Sequence, residues 1–126
     1  MKHYICPKCR GYLSVDNEII FITKTNNHDT AMVLLSAELG NYEFRKNSNV
    51  NFEPGDHVNF ICPLCYENLN AEDVDQNLAK VIMVEEDGTE VNVLFSKIVG
   101  EKCTYSIHEK GIKAFGDDAD KYISKL

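Results

Sequence analysis

Five cysteines offer the most chemistry in this chain, and four of them come in matched pairs. Cys6-Pro7-Lys8-Cys9 and Cys62-Pro63-Leu64-Cys65 are two C-P-x-C turns with 52 residues between them. Their surroundings match too. Tyr4 to Leu13 and Phe60 to Leu69 both read aromatic-Ile-Cys-Pro-x-Cys-x-x-x-Leu, a short internal repeat. One C-x-x-C turn presents two thiolates on one side, whereas a tetrahedral ion such as Zn²⁺ takes four sulfurs at about 2.3 Å. The second pair must therefore come from elsewhere in the chain. Proline after the first cysteine fixes φ and opens the turn, so that the backbone N–H groups behind it can point at sulfur. The flanking aromatic and Leu are where each turn plugs into a core. An odd cysteine count, in a chain whose first residues form no apolar signal segment, is a poor disulfide framework. A soluble, reduced, cytoplasmic protein is the expectation.

The paired C-P-x-C-x-x-x-L turns resemble the knuckles of zinc-ribbon and rubredoxin-like proteins, over about ten residues at each knuckle. The resemblance implies a metal site with ligands Cys6, Cys9, Cys62 and Cys65, and it is nearly silent on activity. Two departures stand out. Such knuckles often carry Gly directly after the second Cys, where a left-handed backbone suits the turn. Here Arg10 and Tyr66 hold that place, with Gly11 one position later in the first knuckle only. The separation also exceeds that of a minimal ribbon, which implies an inserted hairpin. Zn²⁺ is the expected ion. Rubredoxin-like Fe on the same sulfurs is the first alternative, and a redox dithiol the second.

The remaining candidates have plainer explanations. Cys103 lacks a partner and lies in a β-rich stretch, where a lone cysteine is usually a small core hydrophobe; a reactive thiol is the alternative. His3, His28, His57 and His108 form no H-x-x-x-H or H-E-x-x-H arrangement. The runs Glu85-Glu86-Asp87 and Asp117-Asp118-Ala119-Asp120 read as a solvated hairpin tip and a helix start, not a calcium loop. No P-loop, G-x-S-x-G or G-x-G-x-x-G is present. Four thiolates would leave a metal no open coordination position, so the chain is not expected to be an enzyme.

What must position these cysteines is small. The chain has 126 residues, 44% hydrophobic and 26% charged, enough for one compact unit. A net charge of −7 argues against a general phosphate-backbone binder or an anionic-lipid surface. Lys8, Arg10, Arg45 and Lys46 are a weak nucleic-acid footprint on that background. The longest aliphatic stretch, Ala31 to Leu35, is far short of the roughly 20 residues of a membrane span.

Strand and turn signals fill the space between the knuckles. Residues 18–25 and 30–36 read as a hairpin across Asn26–Asp29, and 41–45 and 56–61 as further strands. After Leu69, Asn70 could cap one or two helical turns over 71–78, with Leu69 stapled on Val74. Asp87-Gly88 reads as a two-residue type I′ loop, setting Val84 opposite Val91 and Ile82 opposite Val93. Residues 103–107 and 112–115 suggest another hairpin. A terminal helix follows, capped by Gly116 or Asp117, with Ala119, Tyr122, Ile123 and Leu126 on one apolar stripe.

The expected fold is β-rich α+β, with a zinc-ribbon-like antiparallel sheet over 1–75 and a hairpin plus helix over 76–126, as subdomains of one unit. The expected function is a zinc-stabilised module that binds another protein, with Tyr12 and Tyr66 as exposed aromatics. The alternatives are redox chemistry, as a rubredoxin-like iron site or a thiol switch that releases zinc, and weak nucleic-acid contact through the knuckles.

Overall fold

A computed structural model describes residues 2–46 and 50–126. Among the described residues ten strands form two antiparallel sheets. Strand β1 (His3–Ile5) leads into the first knuckle, followed by β2 (Ser14–Val15), β3 (Glu18–Thr25), β4 (Thr30–Ser36) and β5 (Phe44–Lys46). Strand β6 (Val58–Ile61) leads into the second knuckle, followed by β7 (Leu78–Val84), β8 (Glu90–Ser96), β9 (Thr104–His108) and β10 (Gly111–Phe115). One sheet runs β1-β7-β8-β9-β10. The other runs β2-β3-β4-β5, with β6 also on β3.

The strand leading into each knuckle thus joins the sheet that follows the other knuckle. Tyr4 of β1 pairs with Met83 of β7, and Phe60 of β6 with Thr23 of β3. Registers match throughout. Ile22 faces Met32 as Ile82 faces Asn92, and Val33 faces Lys46 as Val93 faces Ser106, a constant shift of 60 positions. Loop bonds follow the same shift: Ala37 N–H to Asn17 O and Lys97 N–H to Asn77 O are both 2.8 Å. The knuckles themselves are 56 positions apart, so the second copy carries four extra residues within 71–76. The repeat is therefore not ten residues long; it runs through 3–46 and 59–106 and relates the two halves by a pseudo-two-fold axis.

The inner faces of both sheets share one core. Tyr4, Leu13, Ile19 and Phe21 meet Phe60, Leu69, Val81 and Val93 there. The outer face of β7-β8-β9 buries Leu78, Leu94, Cys103 and Tyr105 under Tyr122, with Ala119 and Leu126 packed alongside. Strand β7 is covered on both faces, which is why its sequence is apolar almost without interruption.

Three local expectations are corrected. The β7–β8 hairpin has a three-residue loop, Glu86-Asp87-Gly88, with Glu85 N–H bonded to Thr89 O and Gly88 left-handed at φ 88°. That shifts the register by one: Met83 faces Val91, Val84 faces Glu90 and Val81 faces Val93. The slip matters because it turns Val81, Met83, Val91 and Val93 together into the core. Residues 71–78 form no helix. Val74 and Asp75 donate to Ala71 O in a single turn, Leu78 already begins β7, and Leu69 and Val74 lie in different clusters. The terminal helix is two short 3₁₀ turns, Ala119–Lys121 and Ile123–Lys125, entered from Asp118. A three-residue period keeps Ala119 and Tyr122 on the sheet and swings Ile123 out to 45% exposure.

Candidate metal centre

Each knuckle is a hairpin closed by the same set of bonds. Arg10 N–H donates to Cys6 O and Tyr66 N–H to Cys62 O, both at 2.9 Å. Cys6 N–H donates to Gly11 O and Cys62 N–H to Glu67 O, both at 3.0 Å. Leu13 and Leu69 return to bond Tyr4 O and Phe60 O and are buried as anchors. Arg10 and Tyr66 take left-handed φ values of 61° and 62°, so the turn keeps its shape without the expected glycine. Gly11 is closely approached by the other knuckle: a Cβ there would lie 2.4 Å from Cδ1 of exposed Leu64, which would have to turn aside.

The structure brings all four expected ligands together. Cys6 Sγ lies 3.8 Å from Cys65 Sγ, and Cys9 Sγ 3.8 Å from Cys62 Sγ. All four sulfurs fall within 4.8 Å of one another, close enough to bind one metal ion. Four sulfurs on a tetrahedron of about 2.3 Å bonds would be about 3.8 Å apart, so the fit is good. None of the four is in a disulfide. Cys6 and Cys62, first in each turn, are fully buried; Cys9 is exposed and Cys65 half-buried. The site is symmetric about the pseudo-two-fold and has a wet and a dry side.

Backbone donors are aimed at the sulfurs. Lys8 and Cys9 N–H groups approach Cys6 Sγ at 3.3 and 3.4 Å, and Leu64 and Cys65 approach Cys62 Sγ at 3.3 and 3.5 Å. Gly11 N–H reaches Cys9 Sγ at 3.4 Å and lowers that thiol's pKa. Burial pushes the Cys62 thiol up to about 12. A cation that replaces its proton removes that penalty, and the N–H donors favour thiolate over thiol.

The other candidates lie elsewhere. Cys103 is buried in the outer cluster, and burial raises its thiol to about 11, as befits a core residue. His57 Nε2 lies 3.2 Å from Gln76 O, and His3 stacks on Tyr12 with ring centroids 4.4 Å apart. Glu86 and Asp87 sit in the hairpin loop as expected of a solvated tip, and Arg10 of the first knuckle pairs with Glu90 at the start of β8. Tyr12, Leu64 and Tyr66 are 66%, 57% and 72% exposed beside the cysteines. Among the described residues no helix is long and apolar enough to cross a membrane.

No protein-family model, curated protein or solved structure matches the chain. The metal-binding geometry therefore stands on the residues themselves.

Proposed function

We propose that the chain is a zinc protein of the cytoplasm, that its four-cysteine site is structural, and that the surface around this site binds another protein. The four converging sulfurs carry the metal half of the proposal. Zinc fits because four thiolates with no open position suit an ion that needs neither redox change nor substrate access. The resemblance to zinc-ribbon knuckles supports the same choice. Four thiolates leave the metal no position for water or substrate, so on this reading the chain acts by binding and not by turnover.

The partner surface is the rim of the knuckles. Exposed Tyr12, Leu64 and Tyr66 flank the site, and amphipathic tyrosines of this kind are enriched at protein interfaces. Tyr12→Ala and Tyr66→Ala weaken capture of the partner in pull-down while the metal content stays whole. Unchanged capture by both variants removes this surface from consideration.

Backbone N–H groups aimed at Cys6, Cys9 and Cys62 favour one second reading, rubredoxin-like iron for electron transfer, since such bonds tune the potential of iron–thiolate sites. Colour separates the two. Zinc protein is colourless, whereas oxidised iron on four thiolates absorbs in the visible.

A further inference from the structure

The pseudo-two-fold axis carries a second feature besides the metal cluster. A cavity of about 430 Å³ lies between the two sheets, lined by equivalent residues from both halves. Its wall pairs Tyr4 with Phe60, Val33 with Val93, and Leu35 with Phe95. Its aromatic side is a cluster in which Phe21 and Phe60 lie 5.2 Å apart and Phe60 and Phe95 5.0 Å apart, both edge to face. The tyrosine hydroxyls in the wall are already committed. Tyr4 OH donates to Ala37 O at 2.7 Å, and Tyr42 OH bonds Thr104 Oγ1 and the Phe115 carbonyl. They leave little for ordered water to bind. The rim is different: Glu38, Glu43 and Lys102 are exposed there, beside half-exposed Phe44.

The cavity is open to solvent on one side, and its volume is in the range of small-molecule pockets, roughly 300–1,000 Å³.

We propose that this axial cavity binds one small elongated amphipathic molecule of the acyl-chain class, its apolar body between the sheets and its polar end in water at the Glu38–Glu43–Lys102 rim. The metal at the knuckles is a separate site on the same axis, and the proposal does not depend on which ion it holds.

Fluorescence titration of the metal-loaded full chain with laurdan, an uncharged dye with a twelve-carbon acyl chain, tests it, since the rim and the chain are net acidic. Saturable one-to-one binding with blue-shifted emission is expected, reversed by unlabelled dodecanol. Val93→Phe, which fills the axis, and Phe44→Asp, on the exposed rim where folding is not at stake, each weaken binding about tenfold, or about 1.4 kcal/mol. Ile112→Ser, on exposed β10, leaves it unchanged. Absence of saturable binding to the parent chain, or binding that neither Val93→Phe nor Phe44→Asp diminishes, overturns the proposal.

Discussion

At the position after each second cysteine the backbone must turn left-handed, and this chain does so with Arg10 and Tyr66. A non-glycine residue in that region costs about 1–2 kcal/mol, and a β-branched one more. The cost is tolerable because the same turn places Gly11 N–H on Cys9 Sγ and closes two further backbone bonds. Tyr66→Gly relieves the strain while loosening the unfolded chain, so its melting temperature should stay close to that of the parent. Tyr66→Val should lower stability by about 1 kcal/mol or more in thermal unfolding of the metal-loaded protein. Equal melting temperatures for the two variants would mean that the left-handed turn is not held. The buried and exposed cysteines should also differ. Cys62→Ser leaves an unliganded polar group on the dry side and should abolish stable metal binding, whereas Cys9→Ser faces water and should retain a weaker site, as read by metal stoichiometry after dialysis. The ligand set was readable from the repeat because cysteine spacing is local; the tolerance of Arg10 and Tyr66 was not, because it depends on bonds that form only when the knuckle closes.

Elements were legible where pattern alone decides. The apolar strands 18–25, 30–36, 81–84 and 91–95 all lie within β3, β4, β7 and β8. The β7–β8 register was not legible, since Asp-Gly fits a two-residue loop or the end of a three-residue one. The symmetry-related hairpin decides: Thr25 N–H bonds Asp29 O around Asn26-Asn27-His28, with His28 left-handed at φ 65° where Gly88 stands in the second copy. The terminal segment read as a helix because its stripe fits either period. It is held instead by specific bonds, Tyr122 OH to Glu101 Oε1 at 2.7 Å, Tyr105 OH to Ala119 O at 2.5 Å, and Lys125 to Asp75. The Lys125 ammonium, joined by Asn77 N–H, holds the Asp75 carboxyl below its ordinary value. Burial would raise Glu101, but bonds from Tyr122, Lys121 and Ser96 outweigh it and lower its pKa as well. Both folded values lie below the unfolded ones. The stabilisation is therefore complete only above about pH 5 and is lost as pH falls through the lower folded values. Hydrogen exchange should show 119–126 opening first on acidification. Tyr122→Phe, which leaves buried Glu101 short of a donor, should open it already at neutral pH, at a cost of about 1–3 kcal/mol. A segment that stays protected in both experiments would contradict this anchoring.

Taken whole, the molecule is two copies of one strand–knuckle–hairpin unit that have exchanged their first strands. Most of that repeat was hidden. Beyond the knuckles the copies share few identities, among them Asn17 with Asn77, Ser36 with Ser96 and Gly40 with Gly100, and the four extra residues within 71–76 break the spacing between knuckle and sheet. What survives is register, which constrains backbone and burial but leaves most side chains free. Gly40 and Gly100 were the available signal, since both take a left-handed φ, 90° and 86°, in the same turn. Exchange of β1 and β6 makes each sheet depend on the other knuckle, and the sulfur cluster is where the two dependences meet. Structural zinc contributes about 10–16 kcal/mol in small zinc-finger peptides, comparable to the whole stability of a domain. The most direct measurement is native mass spectrometry of clean untagged protein, paired with far-ultraviolet circular dichroism before and after chelation. One zinc ion per chain, with loss of the β signal once it is stripped, is the expected result. A chain that is metal-free as isolated and keeps its sheets would contradict the central claim that a metal clasp on Cys6, Cys9, Cys62 and Cys65 holds the two copies together.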